Sequence, residues 1–122
     1  MPHIHVEYSN NIKNIDAKLV LKTLNHTLFA TGHVSSALDI KSRAVCQQDW
    51  LIGLEPDETQ AYVHLKLSLL SGRSLETQAE ISEQLLQALQ QVLPAQSGMT
   101  VQMCVEVLEM TKTTYSKQLV QA

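Results

Sequence analysis

The sequence predicts an α/β (α+β) fold: a four-stranded sheet with two helices on one face, built from two fused β-α-β units. Two observations carry this. Four short runs alternate apolar and polar residues with the period of a strand, at 3–8, 38–46, 61–69 and 100–109. Two longer runs repeat apolar residues with the period of a helix, and each falls between two of the strands. The order strand–helix–strand therefore occurs twice. We read residues 1–122 as one domain, with pseudo-repeat halves of about 1–57 and 58–122.

Taken in order, His3 to Tyr8 place Ile4 and Val6 on one face and His3 and His5 on the other. Asn10 and Asn11 end the run as a turn signal. Asp16 suits the N-cap of a first helix whose stripe is Ala17, Val20, Leu21, Leu24 and Leu28. Gly32 can end it, because glycine tolerates the left-handed conformation there. After His33-Val34-Ser35-Ser36 the second strand follows, with Lys41 and Arg43 on one face. Trp50 to Thr59 form a surface loop containing Gly53 and the Glu55-Pro56-Asp57-Glu58 cluster.

The second half opens on a clean alternation, Ala61, Val63, Leu65, Leu67 and Leu69 against Tyr62, His64, Lys66 and Ser68. A helix from about Leu75 to Leu93 carries the stripe Ile81, Leu85, Leu89 and Val92. Ser74 suits its N-cap, and Glu76 complements the positive end of its dipole. Pro94 and Gly98 end it, and Val101, Met103, Val105 and Val107 share one face of the last strand. Each crossover helix makes the strands it joins parallel. The sheet face away from the helices reads as too apolar to be left in water, with Cys104 and Leu108 as examples, so a homo-oligomer is expected.

Composition narrows the function. Of the 122 residues, 44% are hydrophobic and 17% charged, which suits an ordinary folded domain. Nine Lys and Arg against twelve Asp and Glu, a formal net charge of −3, argue against a nucleic-acid partner. No apolar run is long enough to span a membrane, and no secretory signal is recognisable. Cys46 and Cys104 form no CxxC pair and read as reduced thiols, so a cytoplasmic protein is expected.

Three groups of residues could carry chemistry. Pro2 follows the initiator Met1 and leads straight into a strand; removal of Met1 would expose a secondary amine on a rigid element, a possible general base. In Gly72-Arg73-Ser74-Leu75-Glu76 an arginine sits between a tight turn and a helix N-terminus, where an anion is favoured. The plain alternative is that Arg73 pairs with Glu76. Lys41 and Arg43 could likewise hold an anion or simply guard a solvated strand edge. His3, His5 and His64 are a weak metal signal, because no local spacing fixes a third ligand, and we expect no metal there. His26 and His33 read as surface residues, and no nucleophile elbow accompanies them.

Together Pro2 at a strand start, the doubled strand–helix–strand order, Val63-His64-Leu65 and the GRSLE junction resemble the tautomerase superfamily. The likeness is strongest to its 5-carboxymethyl-2-hydroxymuconate isomerase branch. It runs through Thr31-Gly32, Lys41-Ser42-Arg43 and Trp50 and weakens after about residue 90. The resemblance implies a tautomerase-like homotrimer, active in aromatic compound catabolism, that uses no metal or organic cofactor. It implies Pro2 as general base, with Arg73 polarising and Lys41, Arg43 and Arg73 binding a small unsaturated 2-hydroxy (di)carboxylic acid whose proton is moved along the chain. The second-strand arginine of the family falls on Lys41 here, while Arg43 is kept. A lysine cannot fork onto a carboxylate as arginine does. Two other outcomes remain open: a hydratase or decarboxylase on the same scaffold, or a non-catalytic oligomeric small-acid-binding protein.

Overall fold

The computed structural model describes residues 1–121. Its elements run β1 (His3–Ser9), α1 (Ala17–Ala30), β2 (Lys41–Gln47), β3 (Gln60–Leu70), α2 (Leu75–Val92) and β4 (Thr100–Met110), with short 3-10 turns at Ala37–Asp39 and Lys112–Thr114. The four strands form one sheet in the order β2-β1-β3-β4. β1 pairs with β2 in parallel and β3 with β4 in parallel, while β1 and β3 meet antiparallel at the centre. The right-handed crossover rule for each half leaves both helices on one side of this sheet.

Burial follows the predicted periods. Ile4 and Val6 of β1 and Ala61, Val63, Leu65, Leu67 and Leu69 of β3 turn towards the helices and are buried. Val20, Leu24 and Leu28 of α1 and Ile81, Leu85 and Leu89 of α2 meet them, and the four apolar residues of β4 pack against the same core. The helix ends are built as expected. Asp16 accepts a hydrogen bond from the Leu19 amide at 3.1 Å, and Ser74 accepts one from Thr77 at 3.1 Å. Gly32 has φ +81°, which an L side chain rarely adopts, and its amide reaches the Phe29 carbonyl at 3.2 Å.

Three expectations are corrected. β2 begins at Lys41, because residues 37–39 curl into a 3-10 turn closed by the Asp39 amide on the Ser36 carbonyl at 3.1 Å. Leu38, which looked like a strand residue, is left 91% exposed by that turn. α2 stops at Val92, one residue early; Pro94 disfavours helical geometry for the residue before it, and Leu93 is extended with ψ 133°. The open sheet face is also more polar than anticipated. Period two places Cys104 and Leu108 there, but beside His5, Arg43, Lys66 and Glu106.

No helix among the described residues is long and apolar enough to cross a membrane. Several large apolar side chains stay exposed, among them Leu38, Leu54 and Val120.

Candidate active site

The start of β1 is tied to the start of β2 by one backbone bond: the Lys41 amide donates to the Pro2 carbonyl at 3.1 Å. Pro2 is buried, and Met1 extends from it into a cavity of about 390 Å³ lined also by Leu70, Ser71, Gly72, Arg73 and Lys112. Among the described residues no carboxylate lines this cavity. Parallel pairing of β1 with β2 and antiparallel pairing with β3 bring the N-terminus, the beginning of β2 and the end of β3 to the same sheet end. The GRS junction follows β3 directly, so Arg73 arrives beside the N-terminus although it is far from Met1 in the sequence.

Arg73 is held by backbone rather than by an acid. Its guanidinium donates to the His33 carbonyl at 2.8 Å and to the Leu70 carbonyl at 3.3 Å. The predicted alternative partner, Glu76, is not among its contacts, and within the described residues no carboxylate lies at ion-pair distance from it. The charge is therefore positioned by neutral carbonyls and left uncompensated, which is the state in which it can attract an anion. His33 contributes through its main chain while its side chain stays exposed, as His26 does.

Lys41 is half-buried and donates to the Asp39 carbonyl at 2.6 Å. Asp39 in turn pairs with Lys117 at 3.2 Å, and the same ammonium lies 3.1 Å from Met1 Sδ. These charges act on the α-amine of Met1. Burial lowers its pKa below the ordinary 8.0; the Asp39 carboxylate opposes that, while Lys41, Arg73 and Lys117 add to it. An amine at this corner therefore loses its proton more easily than one in water.

Arg43 goes elsewhere. Its side chain lies on the open sheet face, with guanidinium nitrogens 3.0 Å from His5 Nε2 and 3.2 Å from His3 Nδ1. Arginine can only donate, so both ring nitrogens accept, which makes His5 the Nδ1–H tautomer and leaves His3 Nε2–H to donate to the Tyr115 hydroxyl at 3.0 Å. Arg43 and His5 line a second cavity of about 430 Å³ with Lys66, His64 and Leu108. His64 is taken by Glu106 at 3.0 Å. Among the described residues no three His, Cys, Asp or Glu side chains gather closely enough to hold a metal ion.

The structure thus brings Lys41 and Arg73 to the N-terminal corner, while Arg43, two residues further along the same face of β2, turns to His5 and His3. It also adds Asp39, Lys112 and Lys117, which the sequence reading missed. Asp39 was hidden inside a supposed strand. Lys112 and Lys117 lie in a tail with neither period, and only the folded path of that tail brings them back to Met1.

Residues 2–121 match the family model of 5-carboxymethyl-2-hydroxymuconate isomerase. Over 88 residues the chain is 34% identical to the 5-carboxymethyl-2-hydroxymuconate Delta-isomerase of Escherichia coli, spanning 71% of this chain and 68% of that protein. A solved 5-carboxymethyl-2-hydroxymuconate isomerase from Deinococcus radiodurans R1 superposes with a TM-score of 0.87 at 24% identity, covering 96% of this chain and 88% of its own. A fused 4-OT symmetric trimer superposes with a TM-score of 0.71 at 15% identity, covering 91% of this chain and 87% of its own. The two structural likenesses show the tautomerase fold.

Proposed function

The chain belongs to the 5-carboxymethyl-2-hydroxymuconate isomerase family and is an isomerase; from this premise we propose that it moves a proton along an unsaturated 2-hydroxy (di)carboxylic acid, with Pro2 as general base. The observation that supports this most is the N-terminal corner itself, where the partly buried amine of Met1 shares its surroundings with Lys41, Arg73 and Lys117. Removal of Met1 would pass the amine to Pro2 and open the part of the cavity that Met1 fills.

The reaction then follows from the groups present. The unprotonated Pro2 nitrogen takes the proton of the 2-hydroxyl. The electron pair released forms the 2-oxo group and shifts the conjugated double bonds, and the protonated Pro2 returns the proton to a carbon further along. The proton taken is the proton returned, so the step balances without oxidant, reductant or co-substrate. Positioned base catalysis of this kind contributes about 10²–10⁴-fold. Arg73 and Lys41 hold the carboxylate at the reacting end and stabilise the dienolate as charge spreads onto it. Arg73, fixed by two carbonyls, serves the fork-like contact; Lys41 supplies a point charge. Arg43 would act in a cavity completed by a neighbouring subunit, since its own face is the open one.

A homotrimer suits that arrangement. The open face carries both charged and apolar side chains, and Leu38, Leu54 and Val120 are exposed. We place the enzyme in the cytoplasm and in aromatic compound catabolism on the same family reading.

The test is an ultraviolet assay of ketonisation over a panel of 2-hydroxymuconate-type diacids, with product analysis and an intact mass. Formation of an isomeric 2-oxo acid by protein lacking Met1 is the expected result. Loss of carbon dioxide or uptake of water would replace the isomerisation with decarboxylation or hydration. Retention of Met1 together with no turnover would leave only a binding role.

A further inference from the structure

We propose that Lys112 is a specificity-determining residue of the N-terminal cavity, binding the carboxylate of a diacid that lies remote from the reacting end held by Arg73. This rests on the reading that the cavity is the isomerase site, and it concerns a residue to which the sequence reading gave no role.

The placement of Lys112 is built rather than accidental. The Ser71 amide donates to the Met110 carbonyl at 2.8 Å, pinning the end of β4 to the turn before Arg73. The chain then curls through the Lys112–Thr114 turn, closed by the Thr114 amide on the Thr111 carbonyl at 3.1 Å. This sets the Lys112 ammonium against Gly72. A Cβ added at Gly72 would lie 3.2 Å from Lys112 Nζ and 3.7 Å from its Cε. Gly72 also has φ +125°, so the junction favours glycine for its backbone and for the room it leaves the ammonium.

The charge of Lys112 is free for a ligand. No carboxylate lies at ion-pair distance from it among the described residues, and the cavity it lines with Arg73 has no acidic wall. Two unpaired cations facing one cavity repel each other, and a ligand with two carboxylates relieves both at once. A monoacid satisfies one of them. Lys112 therefore raises affinity for diacids selectively. Being a point charge on a flexible stem, it tolerates a range of carboxylate positions where a second arginine would demand one.

The experiment measures binding by calorimetry on protein lacking Met1, using the unreactive six-carbon pair adipate and hexanoate. Parent, Lys112→Met and Lys112→Arg are compared, with thermal melts as the folding control. The expected result is adipate affinity about tenfold lower in Lys112→Met, within about threefold of the parent in Lys112→Arg, and hexanoate affinity unchanged in both. On a turned-over diacid the Lys112→Met loss falls in KM with kcat retained. An adipate-to-hexanoate ratio that Lys112→Met leaves untouched, or a parent that binds the two equally, overturns the proposal. Failure of the proline mechanism would appear instead as turnover indifferent to Pro2→Ala, with the adipate-to-hexanoate ratio still deciding the role of Lys112.

Discussion

Arg43 reaches His5 Nε2 at 3.0 Å across the β1–β2 register and grips His3 with its other nitrogen. This contact separates the two basic residues of Lys41-Ser42-Arg43 into different surroundings. It also depresses the imidazoles: burial lowers His5 below its ordinary 6.5, with Arg43 the next cause and Lys66 after it. Arg43→Ala should therefore raise the His5 pKa part of the way back, read by NMR titration of the ring protons.

The same pair gives the fold a pH dependence. For His3 burial is again the larger cause, followed by Lys41 and Arg43. Because the folded-state pKa values lie below the unfolded ones, the unfolded chain binds protons first as pH falls. The contribution is complete above pH 6.5 and is lost as the pH drops through the folded-state values. Urea titrations between pH 7 and pH 5 should show stability falling for the parent and a flatter profile for a His3→Asn, His5→Asn double variant.

The sheet interior should respond as a packed core. Leu65 is fully buried at the centre of β3, between β1 and β4 and beneath the helices. Leu65→Ala should cost about 2–5 kcal/mol, measured by denaturant unfolding of the same oligomer at fixed concentration.

Much of this architecture is legible in the chain because alternation and helical spacing are local. Ile4 and Val6, or Leu85 and Leu89, announce their faces within a few residues of themselves. The GRSLE junction is legible for the same reason, since glycine, arginine and an N-cap serine must be adjacent to act as they do. The second strand is not, because Leu38-Asp39-Ile40 alternates as a strand would while Ser36 and Ala37 close a turn around it. Lys112 and Lys117 escape the sequence reading on other grounds. Their place beside Gly72 and Met1 is set by the path of the tail after β4, and nothing in the spacing of that tail records it.

Asp39 and Lys117 should tune the amine in opposite senses. Asp39 favours the protonated form and Lys117 disfavours it. Asp39→Asn should move the acid limb of the kcat/KM profile to lower pH, and Lys117→Met should move it to higher pH. A profile that shifts in the same direction for both would contradict this.

Arg73 is fixed by the carbonyls of Leu70 and His33, so its removal takes away a pre-positioned charge. Arg73→Ala should lower kcat/KM by about 10²–10³-fold, and Arg73→Lys should recover only part of that loss, because lysine keeps the charge without the fork. Steady-state kinetics on the best diacid of the panel reads both.

The central claim is that the amine of Pro2 carries the proton, and comparing Pro2→Ala with the parent on that diacid tests it most directly. Both proteins are first confirmed by intact mass to have lost Met1. The account predicts a fall in kcat of at least about 10²-fold with the fold and oligomer unchanged. Full turnover by Pro2→Ala would contradict it.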